Sequence, residues 1–240
     1  QDTMNEFWTV TSGDVSQRRD PIEPPAVVDD PGDATRIVVD TADRKQEWIG
    51  AGAAITDAAA SLIWNSMDAE QRHEFLDDCF NPDKGGFSVI RIPLGSCEPA
   101  AQPYYTYDDV PFGEHDNLLT KFSLGEGEPG APDATKDFKH IIPVVLEILK
   151  INGHLCQGGH LRFGEWTGNG FDPMHDSFEG CYARYFVKYV EEMGKLGIPI
   201  WGVTVQNEPS NAPKWPAMMW TLKQQAEFAH NFLRPAMNEK

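Results

Sequence analysis

Apolar positions along the chain follow two periods. DAEQRHEFLDDCF, Asp68 to Phe80, sets Phe75, Leu76 and Cys79 on one side of a helix. CYARYFVKYVEEMGKLG, Cys181 to Gly197, aligns Tyr182, Phe186, Val190 and Met193 at helical spacing, with Gly197 as its stop. DFKHIIPVVLEILK (137–150) and WTLKQQAEFAHNFLRPAM (220–237) read as two more helices. Other blocks are short and apolar: TRIVVD (35–40), GGFSVIRIPLGS (85–96) and IPIWGVTVQ (198–206) read as strands. IGAGAAITDAAASLIW (49–64) passes from strand to Ala-rich helix near Asp57, an acidic residue suited to a first helical turn. Strand, helix, strand at this spacing predicts parallel βα units.

The predicted class is therefore α/β, with barrel-type strands for about half of a closed eight-stranded barrel. Residues 1–34 form a polar, Asp- and Pro-rich extension in which FWTVTSGD (7–14) looks like a strand, and 35–240 form the main domain. Residues 98–135 read as a long loop, aromatic and then Gly- and Pro-rich. Residues 151–179 show no period.

Charge narrows the partners. With 37 acidic and 20 basic side chains the net charge is −17, which argues against nucleic acid and anionic membrane and leaves neutral sugars open. No run of apolar residues is long enough for a spanning helix. The cysteines Cys79, Cys97, Cys156 and Cys181 are scattered and read as free thiols.

Candidate chemistry gathers where strands end. In WGVTVQNEPSNAP (201–213) an apolar strand breaks into Gln206, Asn207 and Glu208. In a parallel α/β layout such residues line the ligand crevice. Glu208 is a candidate general acid if apolar neighbours such as Trp201 raise its pKa; an early-helix glutamate is the plainer reading. Asp57 is either a helix cap or a carboxylate that accepts two adjacent sugar hydroxyls. Arg91, inside VIRIPL, is expected to be buried and ion-paired near the carboxylates. Tyr104, Tyr105, Tyr107 and Phe112 either stack on a sugar or pack a loop. His154, Cys156 and His160 have a metal-like order without a fourth ligand, so neither a metal nor a cofactor is expected.

Taken together, these segments resemble glycoside hydrolase family 30 and, within it, the glucosylceramidase-like enzymes. GAGAAITDAAA (50–60) is similar to that family's first barrel strand and FSVIRIPLGSCE (87–98) to its second. YYTYDDVPF, NGHLCQGGHLR, YARYFVKYVEEM and WGVTVQNEPS continue the run in order. The resemblance implies a partial (β/α)8 TIM barrel, with residues 7–14 lent to a side β-sandwich. It also implies a retaining β-glycosidase of the β-glucosidase or glucosylceramidase kind, with two glutamates and no cofactor. On this match Glu208 is the acid/base, Asn207 binds the substrate's 2-hydroxyl, Asp57 holds hydroxyls further along the sugar, and Arg91 supports them. The substrate would be a β-glucoside or glycolipid, and the compartment secreted or lysosomal. The family's nucleophile, on its seventh strand, has no expected counterpart, because Glu227 and Glu239 lie in helical sequence. Its third strand is also expected to be missing, and 163–180 to be inserted. The alternative is a catalytically inactive fragment or a carbohydrate-binding module derived from that family.

Overall fold

The computed structural model describes residues 7–9, 20–22, 32, 35, 37, 38, 40–153, 156–161, 177–211 and 218–239, with the backbone alone given for 7–9, 20–22 and 156–161. The chain divides into two compact units, Gln1–Glu47 and Trp48–Lys240.

The first unit contains an antiparallel pair, β1 (Phe7–Thr9) and β2 (Asp20–Ile22), with Trp8 opposite Pro21. Thr35, Ile37, Val38 and Asp40 are not in a strand, contrary to the reading of TRIVVD. Ile37 and Val38 are 84% and 79% exposed, so the two described apolar residues of this run are not buried.

The second unit is built on a parallel sheet in the order β3 (Gly52–Ala54), β4 (Val89–Leu94), β5 (Cys156–Leu161), β6 (Gly202–Thr204). Ile90 and Ile92 in β4 are buried, whereas Arg91 between them points to the opposite, exposed face. Gly52 must be glycine: a Cβ there would lie 1.5 Å from the Val89 carbonyl oxygen. β5 corrects an expectation. Within residues 151–179, which show no period, lies a strand, and it fills the third-strand place expected to be missing, pairing with β4 from Val89↔Cys156 to Leu94↔Leu161. CQGGHL has little β propensity of its own, and two neighbouring strands override that.

The helices start where the caps allow. Thr56 caps α1 (Asp57–Asn65) by accepting from the Ala59 N–H. Asp68 and Gln71 form a reciprocal capping box on α2 (Ala69–Phe80). On α2 the buried residues are Leu76 and Phe80, while Phe75, expected inside, is exposed. α3 (Ile141–Ile151) is apolar nearly all round its first turns and is correspondingly buried. α4 (Phe178–Lys195) carries Tyr182, Tyr185, Phe186, Tyr189 and Met193 into the core. The last helical stretch runs through α5 (Leu222–Phe228), a π turn at Ala229–Leu233 and α6 (Arg234–Asn238). Pro235, which has no N–H to give to the preceding turn, accounts for the π turn. No described helix is long and apolar enough to cross a membrane.

Candidate active site at the carboxyl ends of the strands

The carboxyl ends of β3, β4 and β6 deliver polar side chains to one cleft, lined among others by Thr56, Arg91, Cys97, Glu98 and Asn207. Its volume, about 50 Å³, is well below the roughly 300 Å³ at which a ligand pocket begins to enclose its guest. A larger cavity, about 260 Å³, lies by Phe178, Met218, Met219, Trp220 and Phe228 on the helical side. It is larger but receives no strand end, so the smaller cleft is the better candidate.

Arg91 departs from expectation. It is exposed, and its described partner is an amide: Nη2 donates to Asn207 Oδ1 at 2.9 Å. The alternation of β4 explains this, since Ile90 and Ile92 take the helix-covered face. The bond fixes the orientation of Asn207. With Oδ1 held by the guanidinium, the Asn207 Nδ2 donors have no partner among the described residues.

Glu208 follows with φ +46°, the left-handed region that side chains rarely adopt. It is exposed, and Asn211 Nδ2 donates to its Oε2 at 3.0 Å. The apolar surroundings expected for it are absent among the described residues, and Trp201 is itself 66% exposed. The turn is held from below, with Tyr182 Oη donating to the Val205 carbonyl and the Trp220 N–H to the Pro209 carbonyl. Such strain clusters at functional sites, and Leu119 at φ +55° and Lys136 at φ +50° share it in this chain. Glu208→Gly is expected to leave stability unchanged or raise it by up to about 1 kcal/mol, because relief of the positive φ is partly offset by glycine's freedom in the unfolded chain. Thermal melting checks this.

Asp57 is placed differently from an open sugar anchor. It is 1% exposed and both oxygens are taken: Oδ2 accepts from the Ala101 N–H at 2.7 Å, and Oδ1 from Gln102 Nε2 at 2.8 Å. His140 Nδ1 lies 3.2 Å from Oδ1, and Asn65 Nδ2 donates to His140 Nε2 at 3.1 Å, which leaves the ring proton on Nδ1, aimed at Asp57. Burial alone would raise the Asp57 pKa, but the bonds from His140, Ala101 and Gln102 outweigh it and hold the carboxyl below its usual range. Asp57 thus ties α1, the loop after β4 and the start of α3 together.

The aromatic loop splits. Tyr105 and Tyr107 are core residues, whereas Tyr104 and Phe112 are exposed. No cluster of three metal-ligating side chains occurs among the described residues, and the His154, Cys156 and His160 side chains lie outside them.

The sequence model of the glycosyl hydrolase family 30 TIM-barrel domain matches residues 49–239. The chain belongs to glycosyl hydrolase family 30. Among curated relatives, it is 29% identical over 207 residues to endo-1,6-beta-D-glucanase BGN16.3 of Trichoderma harzianum, covering 80% of this chain and 41% of that protein. It is 28% identical over 206 residues to the lysosomal acid glucosylceramidase of Mus musculus, covering 78% and 37%. The solved endo-beta1,6-glucanase BT3312 superposes with a TM-score of 0.67 at 27% identity, covering 83% of this chain and 43% of that one. The chain therefore spans about two fifths of the length of these relatives. Family 30 membership and the superposition agree with a partial α/β barrel.

Within this family 30 chain the cleft contains a carboxylate that the sequence reading passed over. Glu98 lines the cleft beside Arg91 and Asn207, and Tyr104 Oη donates to its Oε2 at 2.9 Å. That bond, and the charge of Glu98, raise the Tyr104 pKa. The available signal was position: Glu98 is the acidic residue just past the end of β4, as Glu208 is past β6.

Proposed function

We propose that these residues form one wall of the sugar site of a retaining β-glycosidase acting on a β-glucoside by a two-glutamate mechanism. The observation that carries this reading is the strained, solvent-facing Glu208 next to an Asn207 that Arg91 orients, at a strand's carboxyl end in a family 30 chain. Glu208 is the acid/base that protonates the leaving oxygen and later activates water. Asn207 donates to the 2-hydroxyl, a contact that strengthens in the transition state. Glu98 accepts from sugar hydroxyls, and Arg91 positions Asn207. Asp57 serves from behind, holding the loop on which Glu98 stands. A glucosyl group is the element common to the names of the endo-1,6-beta-D-glucanase and glucosylceramidase relatives, and a β-glucoside or glycolipid is the substrate we propose. By the same kinship the compartment is secreted or lysosomal, and the β1–β2 ribbon is a piece of a side β-sandwich.

A second reading has its own support. The described glutamates near the chain's end, Glu227 and Glu239, lie in or beside helices rather than at strand ends, so no described residue matches the nucleophile. These 240 residues then bind a glucoside without turning it over. Hydrolysis of a fluorogenic aryl β-glucoside, measured beside Glu208→Gln, separates the readings. In any polypeptide containing this chain that hydrolyses it, Glu208→Gln is expected to slow kcat by about 10²–10⁴. Unchanged turnover would remove Glu208 from the acid/base role.

A further inference from the structure

We propose that Asp137 is a positioning residue that latches the loop carrying Glu98 in a proton-dependent way, keeping it over the cleft in acid and loosening it as pH rises. Its importance for the reaction rests on the sugar-site reading; the latch itself rests on the geometry below.

Asp137 is completely buried in the 3-10 turn Lys136–Phe138 that leads into α3. Tyr105 Oη donates to its Oδ1 at 2.5 Å and Tyr107 Oη to its Oδ2 at 2.6 Å. Both phenols belong to the stretch that leaves β4, so one carboxylate holds two points of the same loop. The loop also closes on itself around Glu98: the Tyr105 N–H donates to Ser96 Oγ and the Ser96 N–H to the Tyr105 carbonyl. Behind it, Tyr185 Oη of α4 accepts from the Tyr107 N–H. Glu98 is thus suspended between β4 and a knot of hydroxyls and backbone groups gathered on the buried carboxyl of Asp137.

The groups around that carboxyl do not neutralise it. Asp57 faces it from α1, Tyr185 and Tyr189 from α4, and Lys136 from its own turn. Of these, Lys136 is the cation, and its ammonium lies 3.7 Å from Asp109; His140 at the head of α3 turns its Nδ1 to Asp57. Asp57 is a second buried carboxylate in the same core. Burial is the largest influence on Asp137; the two phenols only partly offset it, and the carboxyl is pushed up to about 7.

A group that holds its proton tightly only while buried opposes opening in acid. Any motion that hydrates Asp137 restores its ordinary proton affinity, so opening becomes about tenfold easier for each pH unit between roughly 4 and 7. Above that range the anion is present in both forms, and the dependence ends.

Amide hydrogen exchange of residues 97–107 in the full chain, read between pH 5 and 8 and corrected for intrinsic exchange, tests the latch without any sugar present. The loop's opening constant is expected to rise about tenfold per pH unit and level off above 7. Asp137→Asn, which cannot ionise, is expected to flatten the profile. Tyr107→Phe, which removes a bond that favours the anion, is expected to move the levelling-off to higher pH. A flat profile in the parent overturns the proposal, as does an undiminished slope in Asp137→Asn. If that variant does not fold, an unmoved profile in Tyr107→Phe overturns it equally. The loop readout stands whether or not the cleft binds a glucoside, so failure of the latch and failure of the sugar-site reading are separate results.

Discussion

Asp57→Ala is expected to destabilise the unit Trp48–Lys240 by about 3–4 kcal/mol, because it removes one acceptor and orphans three donors. The Ala101 N–H, Gln102 Nε2 and His140 Nδ1 all end on this side chain, and an unsatisfied buried donor costs about 1–3 kcal/mol. The partly buried Gln102 and the more exposed Ala101 recover some hydration, which keeps the total below the sum of three full penalties. Urea unfolding measures it as a shift in midpoint at constant slope. A double-mutant cycle with His140→Ala should show a coupling above about 0.5 kcal/mol, since the two side chains share a bond. A loss below about 1 kcal/mol for Asp57→Ala would show that the carboxylate is not the hub the geometry makes it.

The second large effect is with pH. The folded-state pKa of Asp137 is raised by burial from 3.8 to about 7, so its stabilising contribution is fully present below the unfolded value and is lost as pH rises through the folded one. About three pH units at 1.36 kcal/mol each set an upper bound of roughly 4 kcal/mol for the loss between pH 4 and 8. Asp108, pushed up to about 6 mainly by burial, acts in the same direction, with a smaller share because it is only half-buried. Asp57 has the opposite sign: its pKa is lowered, so its contribution is lost only as pH falls below the usual carboxylate range. Between pH 5 and 8 the chain is therefore expected to melt at higher temperature in acid, and Asp137→Asn is expected to remove most of the slope. A melting temperature that rises toward pH 8 would contradict this account.

What the sequence made legible follows the strength of local signals. Helices α2 and α4 could be read because their apolar residues recur at helical spacing over several turns, and β4 because it is apolar on nearly every residue. β5 could not, because CQGGHL acquires its strand conformation from neighbours distant in sequence. TRIVVD misled in the other direction: a strong local propensity with no partner strand described for it. At the site, Glu208 and Asn207 stood out as polar residues ending an apolar run, and the structure sets them at the end of β6. Asp57 and Glu98 show the limit. Both are acidic residues just past a strand, and only tertiary packing distinguishes the one enclosed by His140, Gln102 and Ala101 from the one left facing the cleft. The environment of Arg91 was misjudged for a related reason, since an apolar strand does not announce which of its faces the helices cover.

The claim that the strand-end cleft is a sugar site is tested most directly by titrating the isotopically labelled chain with an alkyl β-glucoside and following amide and side-chain N–H resonances. The account predicts saturable shifts at the Asn207 side-chain amide, Arg91 and the Glu98 backbone, lost in Asn207→Ala while the chain stays folded. Absence of saturable shifts in a folded chain, or shifts confined to the Met218–Trp220 cavity on the helical side, would contradict it.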